Sequence, residues 1–386
     1  MIDKLGTKWI EINLDVLGRN IKAIKEHVSP VGIMAVIKAD AYGHGAVEVA
    51  RHLEKCGIRI FAVSCLEEAI ELRQHFISKG ILIFGAIPEA QICDIINYDL
   101  MPTITTADFA ASLDKQAGEM GKIVRAHIYI DTGMGRVGPL YSEAAPFIKK
   151  MARFKNIKVT GIYTHFATSE LADAFAQEQR KRFDAILKNL TQEGIVISAA
   201  HMANSGAVVN LANSRYSLVR PGLLIYGIYP CEKKRGYPAV QPVFSFKARV
   251  VFKKTIQEGF SVGYGRRFTA DAETDIVTLP VGYADGFSRK FTNAGKVIIR
   301  GKKYPVVGSV CMDMIMVNAG AHSPIEVGDE AVIIGKQGKE EISVYDIARE
   351  LDTIPYEVIC SIGRRVTRVY LNKGTIHAVQ RMVSEF

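Results

Sequence analysis

Up to Tyr226 the apolar residues come in short, nearly unbroken runs: 31–37 (VGIMAVI), 58–64 (IRIFAVS), 80–86 (GILIFGA), 101–105 (MPTIT), 124–131 (VRAHIYID), 159–166 (VTGIYTHF), 196–203 (VISAAHMA) and 216–226 (YSLVRPGLLIY). Runs of this length, bounded by Gly, Asp, Ser or Pro, read as strands buried on both faces. Between them lie stretches of helical character: Ala46–Glu54, Leu66–Arg73 and Phe175–Leu190. Ser64 and Glu67 have the spacing of a capping box before the second of these. Strand alternating with helix predicts parallel pairing, and eight such units in about 230 residues predict a (β/α)8 barrel, an α/β fold.

From about residue 240 the pattern changes. Val243–Val251, Ile276–Leu279 and Lys296–Arg300 follow one another without helices, separated by turns rich in Gly, Asp and Lys. They predict a mostly antiparallel β domain that closes with a short helix near Val344–Leu351. The expected division is therefore a barrel over 1–238 and a β domain over 239–386, joined through Cys231–Pro238. The alternating segment Trp9–Ile12 lies within the first dozen residues, which could pack with either domain.

Polar residues collect at one end of the predicted barrel. Lys38 and Tyr42 follow the first strand, Arg136 the fifth, His165 the sixth and Asn204-Ser205-Gly206 the seventh, while Arg220-Pro221-Gly222 interrupts the eighth. In barrel enzymes the C-terminal strand ends carry the chemistry, and phosphate often sits beyond strands seven and eight. Ser205 with the backbone N–H groups near Gly222 could cradle one. Lys38 stands at the mouth of a buried strand, where desolvation lowers an amine's pKa and favours the nucleophilic neutral form. The same position also suits a lysine that snorkels to the surface.

Composition narrows the options. The chain has 386 residues, 48% hydrophobic and 23% charged, with 49 Lys plus Arg against 40 Asp plus Glu. The basic residues are scattered, without a stripe interleaved with aromatics, which argues against nucleic acid. A modest positive balance suits small anionic substrates. Six cysteines without paired spacing read as reduced thiols, hence a cytoplasmic setting. No apolar run approaches the roughly 18 residues of a membrane helix, and Met1–Lys8 lacks a signal-peptide core. His44, His52, His165 and His201 fall on separate units, which argues against zinc. Gly133–Gly138 matches GxGxxG, but Pro139 follows at once, and Lys158 stands where a ribose-binding acid belongs.

The stretch Ala35–Gly45 (AVIKADAYGHG) resembles the pyridoxal phosphate (PLP) lysine motif of alanine racemases. The resemblance continues through Asp131–Gly138, Thr164–Ala167, Ala203-Asn204-Ser205, Val219–Gly222, Val262–Arg266, Gly282–Gly286, Cys311-Met312-Asp313 and Ile354–Glu357. It implies a PLP-binding barrel followed by a β domain, in a homodimer whose subunits share active sites. Lys38 would hold PLP as an imine and act as one catalytic base. Tyr264 of the partner subunit would act on the opposite face of the substrate. Tyr42, Ser205, Gly222, Leu223 and Tyr356 would hold the phosphate. Arg220 would face the pyridine nitrogen with His165 beside it. Arg136 and the backbone of the partner subunit's Met312 would hold the substrate carboxylate. No metal is implied.

An arginine at the pyridine nitrogen changes the expected chemistry. Many PLP enzymes place a carboxylate there and keep the nitrogen protonated. An arginine donates a hydrogen bond instead, which leaves that nitrogen largely unprotonated and favours return of the proton to Cα over transamination. One position departs from the family. Many members carry a carbamylated lysine two residues before the Asp of the DTGM motif; here it is Tyr129. Arg136 must then be oriented by a bound chloride or by the Tyr129 hydroxyl. Tyr356 would narrow the pocket towards alanine. The implied function is interconversion of L- and D-alanine, supplying D-alanine for peptidoglycan. A racemase of serine or basic amino acids, or a non-catalytic PLP-binding protein, remain as alternatives.

Overall fold

The computed structural model describes residues 6–381. Its contacts divide the chain into two units. One holds the chain up to Val16, Tyr42–Gly45 and everything from Pro242; the other holds Leu17–Ala41 and Ala46–Gln241.

The first strand, β1 (Lys8–Asn13), lies outside the barrel. The barrel closes from β2 (Gly32–Val36), β3 (Ile60–Val63), β4 (Gly80–Ile83), β5 (Met101–Ile104), β6 (Val124–Tyr129), β7 (Ile157–Tyr163), β8 (Ala199–His201) and β9 (Leu218–Val219). All eight fall within or against the apolar runs that predicted them, and neighbours pair in parallel around to β9 on β2. Val, Ile and Ala dominate because each strand is covered by side chains within the barrel and by helices outside it.

The helices are set by caps as well as by their apolar stripes. In Ala174–Gln192 the Asp173 carboxylate accepts the Ala176 N–H at 2.9 Å, and Ala176, Phe183, Ile186 and Leu190 form the buried face. The capping box expected at Ser64 and Glu67 does not form. The helix Leu66–Gln74 starts where expected, but Cys65 rather than Ser64 sits at its N-cap and there is no side-chain cap. The Ser64 N–H and hydroxyl turn instead to Glu68, at 2.8 and 2.9 Å. With Cys65 at the N-cap, the N3 acceptor position falls on Glu68 rather than Glu67.

The other unit is built on β10 (Phe244–Arg249), β11 (Phe252–Ile256), β12 (Ser261–Val262), β13 (Phe268–Thr269), β14 (Thr274–Leu279), β15 (Lys296–Ile299), β16 (Lys302–Val307), β17 (Ile315–Gly320), β18 (Glu330–Gln337), β19 (Glu340–Ile342), β20 (Thr367–Asn372) and β21 (Thr375–Gln380). Except for the separate pair β12–β13, they form one sheet in the order β11-β14-β17-β16-β15-β18-β10-β1-β20-β21, with β19 on β18. Pairing is antiparallel apart from β1 on β20. The N-terminal strand thus sits inside this sheet. Period-two alternation explains the faces of β10: Phe244, Phe246 and Ala248 are buried, while Lys247 points outward to Glu11 at 2.9 Å and Glu330 at 3.2 Å. The helix Val344–Leu351 forms as expected, with Ser343 and Asp346 as a true capping box.

Candidate active site

Lys38 lies two residues beyond β2, half-buried, at the end of the barrel where the strands finish. The backbone just beyond it is unusual. Ala39, Asp40, Ala41 and Tyr42 all have φ between 52 and 55°, a full turn in the left-handed region without a glycine. Each such residue costs about 1–2 kcal/mol, so the turn stores on the order of 4–8 kcal/mol that neighbouring bonds must offset. The Ala41 N–H reaches the Ile37 carbonyl at 2.9 Å, and Asp40 accepts the Ala46 N–H at 2.8 Å. Glu68 accepts the Ala39 N–H at 2.5 Å.

Arg220, 3% exposed, lies at the heart of the barrel. It donates to His201 Nδ1 at 2.7 Å, the Thr164 carbonyl at 2.8 Å, the Met202 carbonyl at 3.0 Å and His165 Nδ1 at 3.3 Å. Its guanidinium also lies 5.2 Å from the centre of the Tyr163 ring. All these partners are neutral, and no carboxylate pairs with it among the described residues. Burial pulls its pKa down to about 10, so it keeps its charge at neutral pH. The same burial and the charge of Arg220 drive His201 and His165 well below an ordinary histidine, and bring His127 to about 4. The charges of Arg136 and Lys38 act on His165 in the same direction.

Behind Arg220 the polar chain continues. His201 Nε2 meets His127 Nδ1 at 2.8 Å, and the Tyr163 ring stacks on His201 with centroids 4.7 Å apart. The Tyr163 hydroxyl shares a hydrogen bond with Thr103 at 2.8 Å. A Cβ at Gly161 would fall 2.5 Å from the His127 ring, so only glycine leaves room for it. In the sequence His201 stands out only as a candidate zinc ligand, and His127 carries no motif. A histidine on each of two barrel strands was the available signal.

Arg136 is exposed at the end of a loop wound around Asp131. One Asp131 oxygen accepts the N–H groups of Gly133 and Met134, the other those of Gly135 and Arg136, at 2.8 to 3.2 Å. This disposes of the dinucleotide reading of Gly133–Gly138: amides that would have to face a pyrophosphate are turned onto their own aspartate. Gly138, at φ +79°, lies against Tyr129, where a Cβ would come within 2.7 Å of the ring. The Tyr129 hydroxyl is buried and makes no well-formed hydrogen bond among the described residues, and Arg136 is the side-chain donor that bears on it. Burial, then Asp131, raises its pKa, so it stays neutral, and Arg136 is among the charges acting on it.

At the ends of β8 and β9, the Ser205 hydroxyl oxygen accepts the N–H groups of Gly222 and Leu224 at 3.0 and 3.3 Å. Its own proton is left to donate outward. Leu223 opens the short 3-10 turn Leu223–Tyr226 beside it. Gln179, from the long helix, donates to the His165 carbonyl at 3.0 Å and accepts the Ala167 N–H at 2.9 Å. It fixes the loop that carries His165, a role the sequence did not suggest.

The remaining expected site residues belong to the sheet unit. The Tyr42 and Tyr356 rings lie 6.0 Å apart. Tyr264, 76% exposed, and Met312, 52% exposed, line one open cleft of about 1030 Å³. The Met312 carbonyl accepts the Ala284 N–H, and the Cys311 carbonyl accepts the Tyr283 N–H, both at 3.1 Å. The turn supplying those amides is anchored by Asp285, fully buried and ion-paired to Lys8 at 2.7 Å and Arg365 at 2.9 Å. No cluster of three or more metal-ligating side chains occurs among the described residues, and no helix among them is long and apolar enough to cross a membrane.

A closed parallel barrel with a lysine, a buried arginine and a hydroxyl gathered at its strand ends, followed by an antiparallel sheet, defines a barrel enzyme of the cofactor-binding kind. Residues 12–230 match the family model for the alanine racemase N-terminal domain and 243–370 that for the C-terminal domain. The alanine racemase of Clostridium kluyveri is 39% identical over 386 residues, 99% of each chain, and that of Desulforamulus reducens is 41% identical over 94% of this chain and 98% of its own. The solved alanine racemase of Clostridium difficile 630 superposes with a TM-score of 0.93 at 35% identity, covering 97% of this chain and 98% of that one. The alanine racemase of Bartonella henselae, solved with covalently bound pyridoxal phosphate, gives 0.84 at 28%, covering 95% and 100%. The chain belongs to the alanine racemase family, whose enzymes depend on PLP.

Proposed function

We propose that the chain interconverts L-alanine and D-alanine with PLP held at Lys38, by two bases that approach the substrate from opposite faces. The donor set suits the cofactor. Lys38 offers a primary amine to an aldehyde, Arg220 a fixed cation to a ring nitrogen, and Ser205 with the Gly222–Leu223 backbone a hydroxyl and amides to a phosphate. Tyr42 and Tyr356 are assigned to the same phosphate. Once bound, PLP supplies the electron sink for charge left at Cα when its proton is removed.

Lys38 Nζ would remove or return the Cα proton on the face of the D-isomer. The hydroxyl of the partner subunit's Tyr264 would do so on the other face. Arg136 and the backbone of the partner subunit's Met312 would hold the substrate carboxylate, which fixes Cα between the two bases. His165, neutral and accepting from Arg220 at Nδ1, would help to hold the guanidinium in place. The homodimer belongs to this reading, as does a role in supplying D-alanine for peptidoglycan. The observation that carries it is Arg220: a buried guanidinium that keeps its charge at neutral pH and can only donate, so it would leave the pyridine nitrogen unprotonated, which disfavours transamination.

The test is Lys38→Ala and Tyr264→Phe, each assayed from both isomers. Lys38→Ala should lose PLP attachment and activity in both directions. Tyr264→Phe should keep the cofactor's visible absorbance and lose racemisation. Full activity in either variant sinks the mechanism, and turnover of L-serine or L-lysine above L-alanine sinks the substrate assignment.

A further inference from the structure

Glu68 holds three donors at once. One oxygen accepts the Ala39 N–H at 2.5 Å, and the other accepts the Ser64 N–H at 2.8 Å and the Ser64 hydroxyl at 2.9 Å. Ala39 is the first residue of the left-handed turn, and its N–H belongs to the peptide that also carries the Lys38 carbonyl. Ser64 follows β3, the neighbour of the strand that bears Lys38. The carboxylate therefore ties the peptide just beyond the lysine to the end of the adjacent barrel strand. Four non-glycine residues do not hold left-handed torsions on their own preference. A charged acceptor on the first N–H of that turn is the strongest single bond available to fix it.

We propose that Glu68 is a positioning residue for Lys38: it latches the left-handed turn and so fixes the direction in which the lysine amine leaves the strand. The inference rests on the assignment of Lys38 to the cofactor. Glu68 touches neither cofactor nor substrate, and acts through the Lys38–Ala39 peptide. The side chain of Asp40 closes the far end of the turn on Ala46, so the latch at Ala39 secures the end nearest the lysine.

The experiment is the rate at which apoenzyme, prepared from the holoenzyme, captures added PLP. Capture is followed by visible absorbance and located by borohydride reduction and peptide mass. Glu68→Ala should slow capture at Lys38 about ten- to hundredfold, the range a charge-assisted hydrogen bond carries. Ala39→Gly in that background should recover at least threefold, because glycine adopts the left-handed torsion without the latch. A purely structural loss would not answer to that substitution. If Glu68→Ala folds poorly, Glu68→Gln, with one acceptor oxygen in place of two, should still slow capture severalfold. Wild-type capture rates in Glu68→Ala or Glu68→Gln overturn the latch, as does failure of Ala39→Gly to restore a folded Glu68→Ala. Wild-type enzyme that takes up no PLP at Lys38 overturns the functional reading itself.

Discussion

Arg220 donates to His201 Nδ1 across 2.7 Å, and that bond fixes the protons on two histidines. An arginine only donates, so His201 must accept at Nδ1 and carry its proton on Nε2. Nε2–H then donates to His127 Nδ1 at 2.8 Å, which leaves the His127 proton on its own Nε2. The chain runs one way, from a permanent cation through two neutral rings.

The direction predicts an asymmetry. His201→Phe strands two partners, an Arg220 donor and the His127 acceptor. His127→Phe strands only the His201 N–H. At roughly 1–3 kcal/mol for each buried group left unmet, His201→Phe should cost about twice as much in urea unfolding. Equal losses would mean that the two rings do not act in series.

The same histidines set an acid limit. Their folded pKa values lie below the unfolded value of 6.5, His127 at about 4. Above 6.5 neither state binds the proton. Between 6.5 and 4 the unfolded chain takes it up and the folded one does not, so stability falls as pH falls through that window. For His127 alone the loss is roughly 3 kcal/mol. Asp275 and Asp346 are depressed carboxylates, whose contribution disappears only below about 3.8. Urea unfolding between pH 7 and 4.5 should therefore show the histidine loss first, with a slope about one proton smaller in His127→Phe. A flat profile over that range contradicts the neutral chain.

Tyr129 predicts a split between stability and binding. Its hydroxyl is buried and makes no well-formed hydrogen bond, with Arg136 as the donor that bears on it, so Tyr129→Phe should change stability by less than about 1 kcal/mol. If the hydroxyl helps to hold Arg136, the same change should raise KM for alanine about three- to tenfold, with a smaller effect on kcat. An unchanged KM together with a chloride-dependent KM in the wild type would assign the task to a bound anion.

Asp285 should matter more than its distance from any reacting atom suggests. Removing it in Asp285→Ala leaves Lys8 without its anion and Arg365 with Asp313 alone, and frees the turn that braces Met312. Both cations reach some water, so the cost belongs at the low end of the roughly 3–5 kcal/mol for a broken buried pair. Lys8→Met, which keeps the Arg365 pair, should cost less than half as much by thermal unfolding.

Much of this was legible in the sequence, for local reasons. The barrel strands announced themselves because parallel strands buried on both faces must be apolar without interruption. Lys38, Arg136, His165, Ser205 and Arg220 could be grouped because the barrel puts successive strand ends on one rim. The left-handed turn after Lys38 could not be read, since Ala and Tyr disfavour positive φ, a single Asp does not predict four such residues, and the turn is held by Glu68 from the helix after the neighbouring strand. His127 and His201 stood 74 positions apart in sequence, and only barrel closure brings them into contact. The placement of β1 had no local signal either, because an alternating strand does not say which sheet will receive it.

The position of β1 bears on how the chain is made. Trp9 pairs with Lys247 on one side and Thr367 on the other, the second partner emerging 367 − 9 = 358 positions later. At about 5–20 residues per second, a ribosome takes roughly 20–70 s to deliver it. Through that interval the first strand waits with at least one exposed edge, the kind of surface that recruits a stranger's strand. The oldest strand of the sheet therefore gains its last partner only near the end of synthesis, and a nascent chain that stalls before residue 367 should be a client for chaperones rather than a half-finished enzyme.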